Sequence, residues 1–314
     1  MLPVRAVPVA RRGEILQKNI VRNFVRFHHL RRLDWHESHR QQNTQPNGRR
    51  STCGSSKFHR RTELTEVLQL RIWYGGCMNA RRPPLFRKRK FEPVVIVTCV
   101  RWYCRFSLSL RDLEELMAER GLSVDHVTIW RWTQTYGPEV YRRLRAEVKR
   151  KSSVWHMDET FVRIAGTWMY LFRAVDSQGQ TVDFYLSETR DREAAKIFLK
   201  RALSNPDNLP PYVIVRDGLR SYPAAIRELQ EEGQLRPTCR QRTGRYRNNR
   251  IESDHRHVKR RLRAMQGPRT AATAWAIVQG IEAAHMIRKG QVLGITRSNP
   301  GGQAWVFGSL LGVV

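Results

Sequence analysis

Residues Val154–Ser187 read VWHMDETFVRIAGTWMYLFRAVDSQGQTVDFYLS, and the alternation within this stretch decides the fold. Successive side chains on a strand point to opposite faces. Three runs follow that period, VWHMDETFVRI, WMYLFRAVD and TVDFYLS, and they are separated by AGT and SQGQ, which turn the chain. The stretch therefore predicts a three-stranded meander. Beyond it, DREAAKIFLKRAL carries Ala194, Ala195, Phe198, Leu199 and Ala202 at helical spacing, followed by the Pro-rich loop SNPDNLPP. YVIVRDG is short and nearly all apolar, as suits a parallel strand covered on both faces. SYPAAIRELQEEG then predicts a helix with Pro223 in its first turn. After the basic stretch RPTCRQRTGRY come two long helices, about Asn249 to Met265 and Thr270 to Lys289. Meander, helix and buried strand, in that order, predict an α/β domain with a mixed sheet.

Upstream, SLRDLEELMAERG offers Ser109 as an N-cap, apolar residues at Leu110, Leu113, Leu116 and Met117, and a stop at Gly121. LSVDH turns the chain, and VTIWRWTQTYG predicts a second helix ending before Pro138. Two short helices on such a turn read as helix-turn-helix, with Asp125, His126, Thr128, Arg131 and Gln134 facing outward toward DNA. The competing reading is a plain helical hairpin with Trp130 and Trp132 in its core. AEVKRKSS, Ala146 to Ser153, reads as a charged linker into the next domain.

The chain carries 57 Lys and Arg against 28 acids, a formal net charge of +29. Such an excess favours a polyanionic partner, because each phosphate contact releases condensed counterions. DNA, RNA and anionic lipid all qualify, but the longest apolar run, VVIVTCV at Val94–Val100, is far below the ~20 residues of a bilayer span. No secretory signal is visible in MLPVRAVPVARR. Five cysteines lack zinc-site spacing and read as reduced thiols of a cytoplasmic protein. Residues 1–77 are basic with no sustained apolar period, which predicts a poorly ordered extension and a functional start near Met78. The expected organisation is thus the extension 1–77, a helix-turn-helix region 78–150, a catalytic domain 151–291 and a tail 292–314.

Two-metal phosphoryl chemistry needs carboxylates converging from separate elements on divalent ions. Asp158 lies within the first strand; since neighbours alternate faces, only one of Asp158 and Glu159 is expected to serve as a ligand. Asp217 comes at the carboxyl end of YVIVRD, where open α/β sheets place functional groups. Glu252 opens a helix in NNRIESDHRHVKRR, capped by Asn248 or Asn249, where the helix dipole favours an acid. Lys259 follows Glu252 by two helical turns, on the same face, within reach of a phosphate. Arg256, one turn from Glu252, is expected to steady it or to hold DNA, and His255 and His257 are compatible with phosphate contact. For each of these the bland alternative is a surface ion pair or a solvated basic face.

The stretches VRWYCRFSLSLRDLEELMAERGLSVDHVTIWRW, DETFVRIAGTWMYLFRAVDSQGQTVDFYLS, YRNNRIESDHRHVKRR and GIEAAHMIRKGQ resemble the insertion-sequence-six family of bacterial DDE transposases, from about Phe91 to Gln291. The resemblance carries the acidic triad to Asp158, Asp217 and Glu252, with 34 residues between the last two, and the basic residue seven after the Glu to Lys259. It implies an RNase H-like catalytic domain binding Mg²⁺, or alternatively Mn²⁺, preceded by a helix-turn-helix that recognises terminal inverted repeats. It also implies strand transfer by a DNA 3′-hydroxyl into target DNA, replicative movement through cointegrates, and synapsis by a homodimer or higher oligomer in the bacterial nucleoid. Arg216 and Gly218-Leu219 depart from the family's pattern around Asp217, and the two ends of the chain have no counterpart in it. Two other readings stand beside the transposase: a non-enzymatic helix-turn-helix regulator and an RNase H-like nuclease without joining activity.

Overall fold

The computed structural model describes residues 82–218, 221–244, 248–265 and 268–314. The predicted extension 1–77 and the start at Met78 lie outside the described residues.

The described chain begins with a 3₁₀ turn at Pro84–Phe86 and then α1 (Pro93–Arg105), whose VVIVTCV run is buried on every face and places the helix in the middle of a core. Next is α2 (Leu110–Ala118). Ser109 and Asp112 close a reciprocal capping box, Ser109 N donating to Asp112 Oδ2 at 2.8 Å and Asp112 N to Ser109 Oγ at 3.1 Å, while Leu113 and Met117 face inward. Gly121 takes φ +70° just past the helix, the left-handed conformation that stops it. Asp125 caps α3 (His126–Leu144). The predicted end before Pro138 is overturned, because α3 runs through that proline for another turn and a half. A mid-helix proline costs about 3 kcal/mol. Burying Val140, Tyr141 and Leu144 beyond the proline outweighs this, at roughly 1.5–3 kcal/mol for each large side chain. Trp132 is buried, whereas Trp130 stands 36% exposed, so only one of the two indoles belongs to the core.

The meander forms as β1 (Val154–Ile164), β2 (Thr167–Asp176) and β3 (Thr181–Ser187), with Ala165 and Gly166 both at positive φ in the first turn. There follow α4 (Arg192–Leu203), β4 (Val213–Arg216), α5 (Ser221–Glu231), β5 (Arg240–Thr243), α6 (Asn249–Ala264), α7 (Ala271–Arg288) and α8 (Pro300–Ser309). The sheet order is β3-β2-β1-β4-β5, antiparallel across the first three strands and parallel from β1 through β4 to β5. This is the RNase H-like topology.

Two layers cover the sheet. On one face Trp155, Met157, Phe172 and Ile214 pack against Phe198 and Leu199 of α4 and Ile226 and Leu229 of α5. On the other, Val162, Ile164, Leu171 and Phe184 join a single core with α1, α3 and α7. The upstream helices therefore share apolar core with the sheet, and the AEVKRKSS segment, far from swinging free, is tied by a bridge between Val148 and Val292. Two elements had no sequence signal. The strand β5, RQRT, is exposed throughout and lies inside the stretch read only as basic, and α8 folds the tail onto the helical core through Ala304, Val306 and Phe307. No helix among the described residues is long and apolar enough to cross a membrane. Cys99, Cys104 and Cys239 are free and buried, which agrees with reduced structural thiols.

Candidate active site

Asp158 lies at the middle of β1, the central strand, and β4 runs parallel beside it with Met157 opposite Arg216. One further step of that register sets Asp217, the first residue past β4, next to Asp158. Carboxylate oxygens from Asp158, Glu159 and Asp217 all lie within 4.8 Å of one another. Glu159 comes into this group although alternation points its Cβ to the other face from that of Asp158.

Glu159 is buried and already engaged. Arg190 Nε donates to its Oε1 and the Tyr222 hydroxyl donates to its Oε2 at 2.9 Å. Burial pushes the Glu159 carboxyl above its ordinary value, opposed by the donations from Arg190 and Tyr222. Arg190 also reaches Asp217, with Nη2 3.7 Å from Oδ2. Asp158 and Asp217 are the open members of the group, their side chains 17% and 37% exposed.

The remaining predicted acid, Glu252, is exposed in the first turn of α6 and is not part of this group. What ties α6 to β1 is different. Asn248 occupies the cap position but makes no cap bond; its Nδ2 donates to the Met157 carbonyl at 2.9 Å. One turn past Glu252, His255 places Nε2 3.2 Å from Asp158 Oδ2. His255 and His257, whose sequence context was compatible with phosphate contact, are engaged within the fold: His255 is buried against Asp158, and His257 stacks on His285 with ring centroids 4.0 Å apart. No ion pair joins Glu252 to Arg256 among the described residues, so the bland helical-pair reading is not realised.

Asp254 turns inward, which explains an acid in so basic a run. Its Oδ2 meets Arg173 Nη2 at 2.6 Å, and its Oδ1 meets His285 Nε2 at 2.7 Å and Lys289 Nζ at 3.3 Å. Arg173 also pairs with Glu282 at 2.8 Å, both side chains fully buried. Burial works against the Asp254 charge, but Arg173, His285 and Lys289 outweigh it and hold the carboxyl far below the usual range. This lattice carries α6 and α7 on β2. Neither it nor the Glu159–Arg190–Tyr222 cluster was foreseen, since nothing local in the sequence marks which of several acids goes inside.

Among the predicted DNA contacts, Arg131 is exposed, and His126 and Thr128 are half-buried at the start of α3. His126 Nδ1 lies 2.9 Å from Glu114 Oε2, so its ring is held by α2. Gln134 is half-buried, with its Nε2 buried. Arg256 and Lys259 are exposed on α6, on the face that also presents Arg260 and Arg263. His126 and Lys259, far apart in sequence, line one groove at the tip of the β1–β2 hairpin.

A family profile described as a DDE domain matches residues 152–291. The chain is 36% identical over 204 residues to the transposase for insertion sequence-like element IS431mec of Staphylococcus aureus, covering 65% of this chain and 88% of the relative. It is equally similar, over the same shares, to the transposase for insertion sequence element IS257 in transposon Tn4003 of Staphylococcus aureus. Among solved structures, the catalytic core domain of BIV integrase aligns at 18% identity and a TM-score of 0.35, covering 46% of this chain and 90% of that one. The extent and identity of the match to the staphylococcal transposases, together with the DDE domain, place it: the chain is an enzyme that belongs to the insertion-sequence-six family of bacterial DDE transposases.

Proposed function

We propose that this protein binds the terminal inverted repeats of an insertion sequence, cleaves a DNA strand at its ends and joins the freed 3′ end to target DNA, moving replicatively through cointegrates. The observation that carries the reading is the approach of Asp158 and Asp217 on adjacent parallel strands, beside a helix whose exposed face is basic. Hard oxygen donors within 4.8 Å of one another suit Mg²⁺, with Mn²⁺ as an alternative. Asp158 and Asp217 would hold the ion, with Glu252 from the first turn of α6 as the third ligand; Glu159 is engaged by Arg190 and Tyr222. A divalent ion there supplies Lewis-acid stabilisation to the attacking and leaving oxygens.

The chain's own groups do the rest. His255 holds the Asp158 carboxylate in place, Arg256 and Lys259 offer charge to phosphates along the exposed face of α6, and the start of α3 presents His126, Thr128 and Arg131 to duplex DNA. Bringing two ends together calls for at least a homodimer, and the activity belongs in the cytoplasm at the nucleoid. The test is incubation of the full chain with end-bearing DNA and a target plasmid, with and without Mg²⁺. Joined products that require the metal and vanish in Asp158→Asn and Asp217→Asn, with repeat binding retained, are the expected result. Specific binding without metal-dependent products would leave a DNA-binding regulator; cleavage without joining would leave a nuclease.

A further inference from the structure

We propose that the groove at the tip of the β1–β2 hairpin seats unpaired nucleotides of the DNA being processed, a reading that rests on the proposed DNA-cleaving function. The groove has a volume of about 1250 Å³ and is walled by the hairpin, the start of α3, the C-terminal half of α6 and the start of α7. Two rings on the hairpin stand uncovered. Phe161 is 47% and Trp168 57% exposed, edge-to-face with centroids 6.3 Å apart, and Trp130 of α3 lines the same groove. Apolar surface of that size gains from burial at ~25 cal/mol per Å².

The charge around the rings selects the occupant. Arg163, Lys259, Arg263 and Arg269 line the groove, none of the described residues lining it is a carboxylate, Glu114 and Asp125 reach its rim only through His126, and the Arg163 guanidinium sits 5.9 Å from the Trp168 ring centroid. Cations that follow phosphates, combined with rings on which bases stack, make a platform for a single strand. A base within a duplex already has both faces stacked, so exposed rings favour nucleotides that have left the helix. A second copy of a chain with net charge +29 would bring like charge to a cationic groove, which disfavours it.

The groove also adjoins the acids. Phe161 lies three residues along β1 from Asp158, about 10 Å at strand rise, and shares its face of the sheet with Glu159 rather than Asp158. Its ring centroid is 5.8 Å from the guanidinium of Arg190, the residue that contacts Glu159 and Asp217. A strand end held on Phe161 and Trp168 would thus reach the acids through Arg190, on the side of Asp217.

The test titrates the full-length protein into a fluorescein-labelled dT₁₂ oligonucleotide and into a blunt duplex of equal length, following anisotropy. Trp168→Ala and Phe161→Ala are each expected to weaken dT₁₂ binding about tenfold, with duplex binding within about twofold and Trp168→Phe close to wild type. Unchanged thermal melting of the variants establishes that these exposed substitutions leave the fold intact. The proposal is overturned if dT₁₂ affinity is unmoved in both alanine variants, or if duplex binding falls equally, which would make the groove a general cationic surface. It is also overturned if sedimentation shows a wild-type dimer that Trp168→Ala dissociates. Failure of the wild type to give metal-dependent joined products counts against the function proposed above, and the dT₁₂ result stands apart from it.

Discussion

Nε2 of His255 lies 3.2 Å from Oδ2 of Asp158, joining the helix that follows the sheet to the central acid of β1. Nδ1 of the same ring lies 3.4 Å from Arg173 Nη1, a group that only donates, so Nδ1 accepts and Nε2 carries the proton it donates to Asp158. Burial, the dominant influence, holds the imidazole below its ordinary pKa and in the neutral form that this bonding requires.

Removing that support should loosen Asp158 without removing it. His255→Ala is expected to lower metal-dependent strand cleavage about 10- to 100-fold and to raise the Mg²⁺ concentration giving half-maximal activity, in line with the loss of groups that orient metal ligands. His255→Gln keeps a donor and should recover most of the rate. A variant that merely unfolded would show no such split between metal requirement and repeat binding.

Arg173 compensates two buried carboxylates, Asp254 and Glu282. Arg173→Met would leave Glu282 without its partner and Asp254 with only His285 and Lys289, at a cost of roughly 3–5 kcal/mol in urea unfolding. Arg173→Met combined with Glu282→Leu should recover part of that loss; equal instability of the single and double variants would contradict the pairing.

His257 is held down to about 2 chiefly by burial and then by His285, on which it stacks. Its folded pKa lies below that of the unfolded chain, ordinarily ~6.5, so the unfolded state binds the extra proton. The stability this gives is complete above about pH 6.5 and drains as pH falls toward 2, by up to ~1.4 kcal/mol per pH unit for one such group. Urea midpoints measured from pH 7.5 to 5 should fall, and His257→Phe, which keeps the stack, should flatten the profile.

Gly280 of α7 has no room for a side chain, since an added Cβ would come 2.7 Å from Cys104 Sγ and 3.2 Å from Gly137 Cα. Gly280→Ala must push α3 and α7 apart at their closest point, and a destabilisation of roughly 1–3 kcal/mol in chemical denaturation is expected. Cys104→Ala placed beside it should relieve the sulfur contact and recover part of the loss.

Phe307 of α8 is fully buried in the helical core. Phe307→Ala should cost about 3–5 kcal/mol in thermal or urea unfolding. A chain truncated after residue 299 should aggregate as the apolar faces of α1 and α7 lose their cover. Wild-type stability in the truncated chain would show that α8 is dispensable.

Much of this architecture was legible in the order of residues. The meander came out within a residue of its observed bounds because strand alternation is a local pattern, and the Ser109 cap and the Gly121 stop are local chemistry as well. Asp217 was legible as a functional acid because it ends a buried strand, and the family resemblance joined it to Asp158; that the two strands lie side by side is a finding of the structure. Pro138 misled because a local rule of breakage lost to burial further along the same helix.

The strand RQRT has no apolar residue, so only the open edge of β4 makes it a strand, and α8 became visible as structure only where α1 and α7 offered a surface. The partners of the acids were beyond reach for the same reason. Glu159 with Arg190 and Tyr222, His255 with Asp158, and Asp254 with Arg173 are separated by 31 to 97 positions. Spacing and periodicity, which act over a few residues, determined the elements and the positions of Asp158, Asp217 and Glu252 on them. Packing between distant elements alone decided which charges were drawn inside, because the cost of burying a charge is met by whatever partner the sheet order and helix docking bring to it.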